Sequence, residues 1–282
     1  MNSLLIWPGG KGAIVSKILK YIPEHKHYIE VFFGAGSVFF AKLPLKFETI
    51  NDINSDVVNL FRVLQDKKKF KEFERIINLT LYSRGIYKDS MKYKNQEMGS
   101  LERAISFFIN IRMSFGGKSG WSYSIRDTDN RKRSGAISKW LNCIKRLPEI
   151  ANRFKHTQIE NDDFENIIKR YDDDSDCFIY CDPPYLHETR KDTKLYKHEM
   201  SKEDHLRLLK ICVVSNSKIM LSGYNSDMYN DLLSNWKKKE FHVTTSMANT
   251  NIQDREERTE VIWMNYDLLG EFKQNHLFED KG

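Results

Sequence analysis

Tyr28-Ile29-Glu30-Val31-Phe32-Phe33-Gly34-Ala35-Gly36-Ser37-Val38-Phe39-Phe40-Ala41 begins as a strand, breaks on two glycines and continues as a helix. The run 28–33 has the apolar density of a buried strand, and glycines at 34 and 36 allow a tight turn with close approach of a ligand to the backbone. A second strand, Phe47–Asp52, and a helix from Val57 to Leu64 follow, so the chain opens as an α/β sheet. The alternation resumes with a strand at 156–160, a helix at 164–170 and a buried strand at 177–181. A helix at 202–214, a strand at 218–223 and a closing pair near 239–247 and 259–266 complete it. Upstream, the stripe Ile14, Val15, Ile18, Leu19, Ile22 predicts one helix over 11–22, stopped by Pro23.

Between 55 and 155 the rhythm gives way to helical and basic patterns, with a Gly- and Ser-rich hairpin or ordered loop at 114–135. From Arg84 to Lys155 there are 16 Lys and Arg against 6 Asp and Glu, an excess of 10 in a chain of net charge +6, which leaves the remainder near −4. A basic segment of this kind suits a polyanion, most often nucleic acid, and reads as an insertion into the α/β domain. No apolar run approaches the ~20 residues of a membrane span. MNSLLIWPGG has no secretory pattern, so a cytoplasmic location is expected and no membrane partner. Cys143, Cys177, Cys181 and Cys212 show neither CxxC spacing nor an accompanying HExxH, so reduced structural thiols are expected and no metal.

The glycine turn departs from the dinucleotide fingerprint, because Phe39 stands where GxGxxG requires its third glycine. A two-glycine turn after an acid suits S-adenosylmethionine, with Asp52 at the next strand end placed for its ribose hydroxyls. Gly117-Lys118-Ser119 lacks the earlier glycine of a phosphate loop, where Arg112 stands. Trp121 likewise replaces the last glycine of a nucleophile elbow.

Asp182-Pro183-Pro184-Tyr185 ends the 177–181 strand. An exocyclic adenine amine is a weak nucleophile because its lone pair is delocalised into the ring. A carboxylate and a carbonyl that accept both amine hydrogens localise the pair, and Asp182 with the rigid Pro183 carbonyl can do so. Tyr185 offers a face for a base extruded from a duplex. Covalent attack on cytosine is disfavoured, since no Pro-Cys dipeptide occurs and Cys181 lies inside the strand. The alternatives are methylation of RNA or of a glutamine side chain, and a DNA-binding protein that has lost catalysis. Asp rather than Asn at 182 favours a nucleobase over glutamine, and the intact motifs argue against decay.

Taken in order, Trp7-Pro8-Gly9-Gly10-Lys11, Glu30 to Phe39, Asn51-Asp52-Ile53-Asn54, Asn161-Asp162-Asp163-Phe164 and Asp182 to Tyr185 resemble the motifs of the Dam-type (D12 class) DNA adenine-N6 methyltransferases. Residues 195–205 and 220–229 are similar to the phage and mobile-element branch. The resemblance implies a Rossmann-like S-adenosylmethionine-dependent sheet (1–54 and 156–282) with an inserted, mostly helical target-recognition domain (55–155). It implies methyl transfer to N6 of adenine in double-stranded DNA, in a bacterial or phage-infected cell. Cofactor contacts are expected at Trp7, Gly9, Gly10, Lys11, Glu30, Phe32, Gly34, Ala35, Gly36, Ser37, Asp52, Asp163, Phe164 and Asp182. The catalytic set is Asp182, Pro183, Pro184 and Tyr185. DNA contacts are expected among Arg112, Lys118, Arg126, Arg131, Lys132 and Arg133, mostly to phosphates. Ile6 replaces the lysine that usually precedes the motif tryptophan in GATC-specific members, and 110–117 departs from their N-R-Y-G-x-N-G, so GATC is not supported as the target. A cognate restriction endonuclease encoded nearby is a candidate partner.

Overall fold

The computed structural model describes residues 3–94, 97–118, 120–124, 134–172, 174–189, 197–245 and 256–268. Seven strands, β1 (His27–Glu30), β2 (Phe47–Asn51), β3 (Gln158–Glu160), β4 (Cys177–Cys181), β5 (Lys218–Tyr224), β6 (Lys237–Thr245) and β7 (Glu256–Met264), form one sheet in the order β3-β2-β1-β4-β5-β7-β6. Strands β3 to β5 pair in parallel, and β7 runs antiparallel to both of its neighbours. β1 to β3 build outward on one side and β4 onward on the other, so the topological switch lies between β1 and β4. In open α/β sheets that crevice, at the carboxyl ends of the strands, is where ligands bind.

The helices are α1 (Val15–Ile18), α2 (Ser37–Ala41), α3 (Ser55–Gln65), α4 (Lys67–Leu79), α5 (Arg84–Ser90), α6 (Ser100–Met113), α7 (Gly135–Lys145), α8 (Leu147–Phe154), α9 (Phe164–Tyr171), α10 (Lys202–Val214) and α11 (Asp227–Leu232). They divide between the two faces of the sheet because strand side chains alternate. Tyr28, Phe178, Tyr180 and Met220 join the core with α2, α3, α6 and α8, whereas Ile29, Ile179, Cys181 and Leu221 join that with α9, α10 and α11. All five residues of β4 are buried, as a central strand covered on both faces requires. Helices α3 to α8 lie between β2 and β3 in the chain.

The predicted strands appear with shifts of a few residues at their ends, and the helix expected over 164–170 is α9, longer by one residue. The single helix expected over 11–22 is instead a 3-10 turn (Lys11–Ala13), α1 and a second 3-10 turn (Leu19–Tyr21). Ile14, at φ −122° and ψ 1°, breaks it. The break lets Ile14, Ile18 and Ile22 all reach the core while Lys11 turns towards Asp182, so tertiary contacts override local periodicity.

Candidate active site

Two strand ends build the site. β1 ends at Glu30, and in the β1–β4 register Glu30 stands beside Tyr180, two residues before Asp182. After β1 the chain must fold back at once into α2. Gly36 does so as its N-cap at φ 65°, and a Cβ there would meet the Phe33 ring at 2.2 Å. Gly34, at φ 48°, leaves room for the Trp7 indole, whose Nε1 would stand 2.9 Å from an added Cβ. The Gly34 N–H donates to Asp52 Oδ2 at 2.7 Å and the Asn54 N–H to Oδ1 at 2.8 Å, so the turn and the end of β2 hold each other in place. Burial pushes the Asp52 carboxyl up to about 6 against those bonds, and the buried Glu30 carboxyl up to about 8. Glu30 Oε2 accepts from the Tyr28 hydroxyl (2.6 Å) and the Phe39 N–H (3.2 Å).

These elements enclose a cavity of about 470 Å³, within the ~300–1,000 Å³ of small-molecule sites. Every residue assigned to the cofactor from sequence lines it: Trp7, Gly9, Gly10, Lys11, Glu30, Phe32, Gly34, Ala35, Gly36, Ser37, Asp52, Asp163, Phe164 and Asp182. Pro183 and Pro184 line it too, and Tyr185 does not. Asp163 is the N-cap of α9, its Oδ1 accepting from the Glu165 N–H at 2.9 Å. Phe32 and Phe164 pack against each other at 5.7 Å between ring centroids and give the cavity an apolar wall.

At the end of β4, Lys11 Nζ lies 2.6 Å from Asp182 Oδ1, with Lys11 almost wholly buried. Burial raises the Asp182 carboxyl above its ordinary range, with Lys11 opposing. Tyr185 is buried: its hydroxyl donates to Glu260 Oε2 at 2.7 Å, and Lys11 Nζ sits 4.6 Å from its ring centroid. One face of the Tyr185 ring is therefore covered by an ammonium, drawn there by the ring quadrupole and two neighbouring carboxylates.

Sequence reasoning gave no site role to Glu260, to Arg207 or to residues 197–200, the last within the 195–205 stretch noted for its family resemblance. Arg207, from α10, bonds both oxygens of Asp163 (3.0 and 3.2 Å) and covers Phe164 at 4.4 Å. An acid inside the apolar strand Glu260-Val261-Ile262-Trp263 was the one available signal for Glu260. Arg207 carried none, since a charge on an amphipathic helix reads as solvated.

Of the residues assigned to DNA, Arg112 turns inward, donating to the Leu4 carbonyl (3.4 Å) and the Lys139 carbonyl (2.9 Å). Its guanidinium ties α6 to the N-terminal segment and α7. Lys118 is exposed. Arg126, Arg131, Lys132 and Arg133 lie outside the described residues. The 114–135 loop opens with an antiparallel bridge between Ser114 and Trp121. Among the described residues no group of three or more His, Cys, Asp or Glu is arranged to hold a metal ion, and no helix is long and apolar enough to cross a membrane.

A mostly parallel sheet with a glycine turn, two strand-end carboxyls and an Asp-Pro-Pro-Tyr around one cavity at its switch point is the ligand-binding arrangement of an open α/β fold. Residues 7–259 match the family described as D12 class N6 adenine-specific DNA methyltransferase, and the chain belongs to that family. It is 29% identical over 92% of its length to the Type II methyltransferase M1.LlaDCHI of Lactococcus lactis subsp. cremoris, covering 94% of that protein. It is 26% identical to the DNA adenine methylase of Escherichia coli (strain K12), with 80% and 81% of the two chains covered. The DNA N-6-adenine-methyltransferase of Escherichia phage P1 is 25% identical over 74% of this chain and 28% of its own. The enzyme is thus an adenine-specific DNA methyltransferase that uses a methyl donor.

Proposed function

We propose that the donor is S-adenosylmethionine and the substrate double-stranded DNA, with the target adenine extruded from the duplex and methylated by direct transfer. The observation that carries this is the convergence of the glycine turn and Asp182-Pro183-Pro184 on one cavity. The residues present fit the donor. The space kept by Gly34 and Gly36, the carboxyl groups of Glu30, Asp52 and Asp163, and the apolar wall of Phe32 and Phe164 suit a ribose with free hydroxyls, an ammonium and a purine. When bound, it supplies an electrophilic methyl on a sulfonium. Asp182 and the Pro183 carbonyl accept the two amine hydrogens of the base and localise its lone pair. Asp182, whose proton affinity burial has raised, takes the proton that leaves the nitrogen.

Division into a catalytic unit (1–54 and 156–282) and a DNA-recognition unit (55–155) is supported by the position of α3 to α8 in the chain and by the local charge excess. Lys118 and the basic 126–133 segment are the candidate phosphate contacts. The cytoplasm is the proposed location.

Mapping N6-methyladenine in DNA from cells that express the protein tests both activity and target site. Label from the donor recovered solely in RNA or protein would refute the reading. Asp182→Ala is expected to abolish methylation while DNA affinity in a gel shift stays nearly unchanged. Retained methylation would remove Asp182 from its role.

A further inference from the structure

Lys11, Asp182, Tyr185 and Glu260 form one cluster at the end of β4. The Lys11 ammonium stands 2.6 Å from Asp182 Oδ1 and 3.8 Å from Glu260 Oε2, so two carboxylates share one cation. The same Glu260 Oε2 accepts the Tyr185 hydroxyl at 2.7 Å. Glu260 comes from β7, where its register partner is Tyr224 of β5. The Tyr224 ring meets that of Tyr185 edge-on, with centroids 4.6 Å apart and planes at 70°. Tyr185 is thus held at its hydroxyl by one strand and at its ring edge by the neighbouring one. Glu260 does not line the cavity, so any influence it has on the reaction passes through Tyr185 and Lys11.

Resting on the function proposed above, we propose that Glu260 is a positioning residue of the catalytic tetrapeptide. It fixes the Tyr185 ring through its hydroxyl and offers the Lys11 ammonium, paired with Asp182 at 2.6 Å, a second carboxylate at 3.8 Å. A charge-assisted bond is roughly twice as strong as a neutral one, so an ammonium committed to Asp182 alone outcompetes an incoming amine. A second carboxylate weakens that commitment while keeping Lys11 in the cluster. The charged and titratable groups that face Asp182 are Lys11, Glu260, Tyr185, Glu30 and Tyr180, with Cys181 and Tyr229 behind them. Tyr224 faces Glu260 in turn and is bonded by Arg258.

Glu260→Gln keeps an oxygen acceptor for Tyr185 and removes the charge. In steady-state methylation of duplex DNA its kcat is expected to fall about tenfold, the loss of one charge-assisted interaction, with KM for S-adenosylmethionine within about threefold of wild type. The acidic limb of its kcat profile is expected to move to lower pH, because a negative neighbour that favours protonation of Asp182 is gone. A purely structural role would leave that limb in place. A wild-type chain that methylates no adenine in this assay overturns the function proposed above and this inference with it. A wild type that does, paired with a Glu260→Gln variant of equal kcat and superimposable pH profile, overturns the inference alone. Should Glu260→Gln lose the binding of S-adenosylmethionine, Tyr185→Phe removes the other end of the bond. A kcat several-fold below wild type supports the clamp, and an unchanged kcat overturns it.

Discussion

Asp52 and Glu30 face one cavity with carboxyls that burial has made reluctant to ionise. In the proposed complex with S-adenosylmethionine, Asp52, pushed up to about 6 from 3.8, becomes a full acceptor for ribose hydroxyls only as pH rises through that value. Hydroxyl donors favour its charged form, so binding of S-adenosylmethionine is expected to release protons near pH 6 and to tighten from pH 5 to pH 7. Calorimetry in buffers of differing ionisation heat reads this directly, and Asp52→Asn should flatten the dependence. Glu30 gives a stability signal. Its folded value of about 8 lies above its ordinary 4.5. The folded state therefore holds a proton that the unfolded chain has lost between those limits. The stability that Glu30 contributes is complete below about pH 4.5 and declines until about pH 8, by about 1.4 kcal/mol per pH unit at most. Urea unfolding of the cofactor-free protein should show Glu30→Gln gaining on wild type from pH 5 to pH 8 and running parallel above it.

At the scale of the element, the turn between β1 and α2 determines whether the cavity exists. Gly36→Ala places a methyl against the Phe33 ring at a backbone angle that costs a non-glycine residue about 1–2 kcal/mol, with about 1–3 more for overpacking. The urea midpoint is expected to fall accordingly, and binding of S-adenosylmethionine to weaken with it, since Gly34 to Ser37 line the cavity. This element was legible in sequence because a strand, two glycines and a helix follow one another without interruption. The stretch 11–22 was not. Its period is helical, yet the pull of Ile14, Ile18 and Ile22 into the core and of Lys11 towards Asp182 divides it into short turns.

Across the molecule, α3 to α8 are joined to the sheet by buried ion pairs as well as by apolar packing. Glu48 of β2 is paired with Lys42 and with Arg153 of α8, the Arg153 Nη2–Oε1 bond measuring 2.6 Å. Arg153→Ala strands part of the buried Glu48 charge and is expected to destabilise by about 3–5 kcal/mol, read by chemical denaturation. Nearer the site, Asp56 of α3 joins Arg103 of α6 (2.6 Å) to Lys197 (2.8 Å), a residue that also lines the cavity. A physical link thus runs from the helical region to the cavity. Apart from Lys42–Glu48, none of these pairs was visible in the chain, because charges 47, 105 and 141 residues apart carry no periodic signal.

The order of elements, the glycine turn, the strand-end Asp-Pro-Pro-Tyr and the basic middle segment were all set by the sequence alone, because each depends on neighbours in the chain. Tertiary structure decided which side chains surround the tetrapeptide. It brought Glu260 and Lys11 onto Asp182 and Tyr185, laid Arg207 over Phe164 and turned Arg112 inward. Those partnerships follow from strand order and from helices docking on two faces of a sheet, and burial then fixes which charges must find each other.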